Sequence, residues 1–199
     1  MKTPRSRFPV PATETLPEDV RARIDAVKEK SGFVPNVFRV LAHRPDEFRA
    51  FFAYHDALME RDSGLTKGER EMIVVATSAI NKCLYCVVAH GAIARIREKN
   101  PRLADQLATD YTRADITPRQ VAMLDFACLV AENASEVNED DVEDLREHGF
   151  DDEAIWDIGA IAAFFALSNR MASLTDMRPN DEFYEMGREP RRPGPRLVK

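Results

Sequence analysis

The sequence predicts an all-α protein, a helical bundle of about seven or eight helices with a catalytic helical hairpin at residues 69–100. Three observations predict it. Glycine is scarce, at 8 of 199 residues. The apolar–polar alternation that marks strands is rare, and helical signals dominate the chain. Helix-start chemistry recurs, with Thr-x-x-Glu capping boxes and prolines in first turns. No internal repeat or low-complexity tract interrupts this pattern.

The elements follow in order. Thr15 to Glu18 reads as a capping box, opening a helix that closes near Ser31 and Gly32. Pro35 breaks the chain, and a short helix runs from Asn36 to about His43. Pro45 starts a helix that ends before Gly64. Thr66 and Glu69 form a second capping box, whose helix is apolar enough at Ile73, Val74, Ala76, Thr77 and Ile80 to be buried. The next helix begins at the cysteines and stops at Asn100-Pro101. Another opens at Thr117-Pro118, and a short acidic one spans about 140–148, closed by Gly149 in a left-handed turn. Asp152 is placed to cap a long, alanine-rich apolar helix. These elements suggest residues 1–14 as an N-terminal extension, 15–176 as a single domain and 177–199 as a basic, proline-rich tail.

Composition narrows the function. A chain that is 44% hydrophobic and 31% charged reads as globular. A net charge of -6 argues against nucleic acid as a partner. The start has no secretory-type apolar run, and no stretch reads as a membrane span, so a cytoplasmic protein without a membrane partner is expected. In that compartment three cysteines do not make a disulfide framework, and a close pair points to catalysis or metal binding. No haem, flavin or nucleotide motif is present, so no cofactor is expected.

Cys83 and Cys86 form that pair. Three residues apart on a helix, they share a face at a Cα separation of about 5 Å, which a disulfide can close. Placement at a helix start commonly lowers a thiol pKa from about 8.5 into the ~3.5–7.5 range, and the thiolate is the nucleophile. His90, four residues after Cys86 and seven after Cys83, faces the same way. Glu71 lies on the preceding helix. In an antiparallel hairpin it sits roughly 15 Å before the turn and His90 roughly 10 Å after it, about one helical turn out of step. A glutamate side chain or a water can span that gap, so Glu71 could orient His90 or relay its proton. The helix start favours Cys83 as the attacking thiol, whereas contact with His90 favours Cys86.

The stretch from Leu65 to Gly91, LTKGEREMIVVATSAINKCLYCVVAHG, resembles the signature of the alkyl hydroperoxidase D and carboxymuconolactone decarboxylase superfamily, in its peroxidase-related branch. The resemblance extends more loosely from Val34 to Leu174, through VPNVFRVLAHRP, the helix at Thr117 and the run FFALSNRMASL containing Asn169-Arg170. It implies an all-helical homo-oligomer that reduces hydroperoxides and cycles through a Cys83–Cys86 disulfide, with Glu71 and His90 as proton relay. It also implies Cys86 as the attacking thiol, Cys83 as its resolving partner, and an external thiol or dithiol reductant. The family's well-studied hydroperoxidases carry a second histidine between the cysteines, where this chain has Tyr85, a poor base with a pKa of about 10.

Rival readings use the same residues. A zinc module would take Cys83, Cys86 and His90, with Glu71 or His55 as a fourth ligand. A thiol redox sensor or disulfide reductase would use only the pair. Glu71 could instead be an ordinary surface carboxylate, as Glu69 and Arg70 beside it read. Cys128 reads as core, and His43 and His148 as helix-end residues. Trp156, Phe164 and Phe165 read as core or subunit interface, and His55 as facing the site or an interface.

Overall fold

The Thr66 capping box opens the central helix of the protein. The Thr66 hydroxyl accepts the Glu69 N–H at 3.0 Å, and the Glu69 carboxylate accepts the Thr66 N–H at 2.9 Å. The structure, a computed structural model, describes residues 6–188. Among these it has ten α-helices and no strand. They are α1 (Glu18–Ser31), α2 (Asn36–Leu41), α3 (Pro45–Met59), α4 (Lys67–Ile80), α5 (Leu84–Arg97), α6 (Leu103–Asp110), α7 (Pro118–Asn133), α8 (Glu139–Glu147), α9 (Asp152–Thr175) and α10 (Glu182–Glu185).

Helix α4 is buried at every residue from Gly68 to Ser78. It packs against α5, α6, α7 and α9, and its apolar residues, including Met72, Ile73, Val74 and Val75, form the main core with Met123, Leu124, Ile158, Ile161 and Phe165. A second cluster gathers the start of α5 with Val40, Ala172, Met177 and Phe183. A third joins α1 to α2 and α3 through Val20, Ile24, Phe48 and Phe52.

Burial on all sides overturns the surface reading of Glu69 and Arg70. Glu69 accepts Arg119 of α7 at 2.5 Å. Arg70, with no exposed side-chain area, pairs with the equally buried Asp157 of α9 at 3.0 Å. It also donates to the Leu58 carbonyl and to the Ser63 hydroxyl. A buried guanidinium is tolerated when most of its donors are met in this way; Nε of Arg70 has no hydrogen-bond partner among the described residues.

Other expectations are corrected by local chemistry. Thr15 caps nothing: its hydroxyl donates to the Ala12 carbonyl at 2.8 Å, and α1 starts after Pro17. Asp151, not Asp152, caps α9 by accepting the Ala154 N–H at 2.8 Å, while Asp152 meets Arg146. Helices α6 and α10 exceed the eight read from the sequence, because eight and four residues carry too little periodicity to register. Residues beyond 176 do not run free at once. Met177 and Phe183 are buried, and Arg95 of α5 donates to the Phe183 and Met186 carbonyls, both at 2.9 Å. The remaining arginines of the basic tail, at 191, 192 and 196, lie outside the described residues. At 24 residues, α9 is long and apolar enough to cross a membrane by length and composition, although the sequence showed no such stretch. Half of its most apolar window is buried in the bundle, as in a core helix. Trp156 on this helix is 73% exposed and therefore is not core.

Removing one partner of the Arg70–Asp157 pair strands a buried charge. Asp157→Ala is expected to cost about 3–5 kcal/mol in urea unfolding, and a paired apolar replacement, Arg70→Met with Asp157→Leu, to recover most of that loss.

Candidate active site

The turn between α4 and α5 places the cysteines. Lys82 adopts a left-handed conformation, φ 53°, which reverses the chain within two residues. The Cys83 N–H then donates to the Ser78 carbonyl at 2.9 Å, and the Asn81 amide donates to the Thr77 carbonyl at 3.1 Å. Cys83 takes the N-cap position of α5. A hydroxyl or carboxylate oxygen usually stands there and accepts the N–H groups two and three residues on. Those groups belong to Tyr85 and Cys86; the Cys83 sulfur makes no capping hydrogen bond with them in this structure, but both favour its thiolate.

The two thiols are free and buried, Cys83 at 2% and Cys86 at 1% exposure. Their protons are shared unequally. The Cys86 S–H beside Cys83 is the largest influence on it, outweighing burial, and the Cys86 N–H, the His90 charge and the Tyr85 N–H add to it. Together they hold Cys83 at about 7. Cys86 is pushed well above the usual thiol range by the sulfur it donates to and by burial, with Asn169 and Ser168 of α9 pulling the other way. The pair therefore carries its first negative charge on Cys83, opposite to the order of attack that the resemblance implies.

Glu71 and His90 meet directly across the hairpin. Glu71 Oε2 lies 2.7 Å from His90 Nδ1, with both side chains nearly buried. The turn of mismatch expected from helix geometry is absorbed by the two side chains without an intervening group. The edge of the Phe165 ring stands against His90, centroids 4.8 Å apart, and fixes the imidazole plane. Nδ1 held by a carboxylate leaves Nε2 as the nitrogen for proton exchange.

His55 on α3 lies on the far side of Phe165, ring centroids 6.4 Å apart. Its Nδ1 is 3.1 Å from Asp56, which Arg23 holds at 2.7 Å. Burial lowers its pKa, and the His90 and Glu71 charges reach it. Tyr85 points its hydroxyl at the start of α2 and accepts the Val37 N–H at 3.1 Å. Burial pushes its phenol far above the ordinary range. The residue in the place of the second family histidine thus ties α5 to α2 and cannot serve as a base. Among the described residues no three His, Cys, Asp or Glu side chains are arranged to hold a metal ion, and Glu71 is already committed to His90. Cys128 is buried and pushed up to about 12, an inert core thiol.

Ser168 and Asn169 were not singled out from the sequence as site residues. Ser168 Oγ lies 3.8 Å from Cys86 Sγ, and Asn169 Nδ2 donates to Ser78 Oγ at 2.9 Å. The available signal was a Ser-Asn pair inside an otherwise apolar helical run. A groove of about 810 Å³ lies elsewhere, between α9 and the α2–α3 side. Phe164 lines it, while Phe165, about 100° further round the helix, faces His90.

A helical hairpin presenting a buried dithiol beside a carboxylate–imidazole pair defines a small all-helical thiol protein of the alkyl hydroperoxidase D type. Residues 45–127 match the carboxymuconolactone decarboxylase family, a span that takes in His55, Glu71, Cys83, Cys86 and His90. A solved structure from Ralstonia eutropha JMP134, described as an alkylhydroperoxidase AhpD core and uncharacterized peroxidase-related protein, is 69% identical. The match covers 95% of this chain and 100% of that one, with a TM-score of 0.94. An uncharacterized peroxidase-related protein from Silicibacter sp. TM1040 is 41% identical over 94% of this chain and 97% of that one, with a TM-score of 0.89. A debrominase solved with 2,3,4-tribromopyrrole shares the fold at 18% identity, over 92% of this chain and 95% of that one, with a TM-score of 0.74. No curated protein matches the chain. The chain belongs to the carboxymuconolactone decarboxylase family, among its AhpD-like, peroxidase-related members.

Cys83 alkylation by iodoacetamide, followed by mass spectrometry, is expected to rise with pH around a midpoint near 7. Cys86→Ala removes the S–H donor and should move that midpoint up toward the ordinary thiol value.

Proposed function

We propose that this chain is a cysteine-dependent hydroperoxide reductase cycling through a Cys83–Cys86 disulfide, with Glu71 and His90 as proton relay. The 2.7 Å Glu71–His90 contact next to a dithiol at a helix N-cap carries this reading. A Cys83 thiolate attacks the terminal oxygen of an organic hydroperoxide. The O–O bond breaks, Cys83 becomes a sulfenic acid, and the departing alkoxide takes a proton from His90 to leave as an alcohol. Glu71 stabilises the imidazolium before that transfer and keeps the tautomer afterwards. Cys86 then attacks the Cys83 sulfur as its thiolate. The S–S bond forms, the S–O bond breaks, and hydroxide leaves and is protonated to water. An external thiol or dithiol restores the reduced pair by exchange. Three free thiols suit a reducing compartment such as the cytoplasm. The groove with its exposed Tyr54, Leu167 and Leu174 supports assembly as a homo-oligomer, which sedimentation would measure.

The test is steady-state turnover of an organic hydroperoxide with dithiothreitol as reductant. Cys83→Ser and Cys86→Ser should both abolish turnover. Glu71→Gln and His90→Ala should lower kcat/KM by roughly 10²–10⁴-fold without unfolding the protein. No turnover by fully reduced wild type would overturn the reading.

A further inference from the structure

Cys86 lies in a cluster of apolar residues, with Val40, Ala89, Ala92, Ala172 and Met177 around it. Yet α9 turns two adjacent polar side chains toward the sulfur. Ser168 Oγ is 3.8 Å from Cys86 Sγ. Asn169, 1% exposed, donates through Nδ2 to Ser78 Oγ at 2.9 Å and has its amide within hydrogen-bonding reach of the same sulfur. Ser78 is itself fully buried, and its carbonyl accepts the Cys83 N–H at 2.9 Å. Ser168 therefore meets the Cys86 sulfur directly, and Asn169 is linked through Ser78 to the Cys83 backbone. Buried polar groups are costly unless paired, and Asn169 Oδ1 has no hydrogen-bond partner among the described residues. Packing would be served better by apolar residues at these positions.

We propose that Ser168 and Asn169 are positioning residues of the dithiol: Ser168 holds the Cys86 sulfur and stabilises it as a thiolate, and Asn169, through Ser78, holds that sulfur in register with Cys83. This rests on the dithiol being the redox centre. Cys86 must lose its proton before it can close the disulfide, and it must do so in an apolar surround, where an anion without donors is strongly disfavoured. The Ser168 hydroxyl and the second Asn169 N–H are the donors that meet it. The titratable groups of the site are Cys83, Tyr85 and His90 on α5, Glu71 on α4 and His55 on α3, whereas Ser168 and Asn169 are neutral and leave its net charge unchanged.

The test isolates Cys86 in a Cys83→Ser, Cys128→Ser background and follows its alkylation as a function of pH. Ser168→Ala should slow alkylation roughly tenfold at a given pH by raising the titration midpoint, and Ser168→Thr should restore it. In the protein with all cysteines, Ser168→Ala should shift the equilibrium with dithiothreitol toward the disulfide, because the reduced state loses the hydrogen bond between Ser168 and the Cys86 sulfur. Asn169→Leu is expected to do the same, and if it fails to fold, Ser168→Ala still decides. An unchanged alkylation profile and unchanged equilibrium in Ser168→Ala would overturn the proposal. Both shifts in a protein that turns over no peroxide would uphold the cradle and overturn the peroxidase reading instead.

Discussion

A helix with no solvent-facing side governs this molecule. Over eleven consecutive residues α4 is buried, so each charged side chain in that run needs a partner from another helix. Three in succession find one in three different directions. Glu69 reaches Arg119 on α7, Arg70 reaches Asp157 on α9, and Glu71 reaches His90 on α5. The successive rotation of about 100° per residue spreads adjacent side chains round the helix, so one short charged segment pins three neighbours. Such pairs add less to net stability than their strength suggests, because each ion is desolvated first. Their effect is specificity, since sliding or rotating α4 would strand a buried charge.

The same burial supplies the chemistry of the site. A carboxylate and an imidazole held 2.7 Å apart in a dry, aromatic-walled space keep one tautomer and one orientation. Across the α4–α5 turn, Cys83 stands against the N–H groups of a helix start. Where an oxygen would merely cap the helix, a thiol gains acidity. Cys83 benefits because it is the cap itself. Cys86, inside the first turn and deeper in the cluster, depends on α9 for polar contact.

The chain ends close this arrangement. Arg7 N–H donates to the Thr175 carbonyl at 2.8 Å, and Val10 packs on the cysteine cluster. On the other side Gly187, at φ 73°, lies so close to α5 that a Cβ would stand 2.8 Å from Arg95 Cβ. Arg188 then meets Asp105 of α6 at 3.0 Å. Together with Met177 and Phe183, these segments cover the cysteine-bearing face of α5, and the two sulfurs are almost inaccessible.

The sequence by itself determined the helices and the spacing of the reactive groups. Capping chemistry and 3.6-residue periodicity are local properties, so the helices at Thr66, at Thr117 and after Gly149 were legible. The Glu71–His90 pairing could be anticipated because a tight hairpin makes even that contact nearly local. Only the tertiary structure decided that Glu69 and Arg70 are buried, that Tyr85 caps α2, and that Ser168 and Asn169 lie beneath Cys86. In each case the deciding partner lies from about fifty to almost ninety residues away, and periodicity records which residues share a face without recording what that face will meet. The different surroundings of the two sulfurs also arise only in three dimensions, because Cys83 caps α5 and Cys86 lies within its first turn against α9.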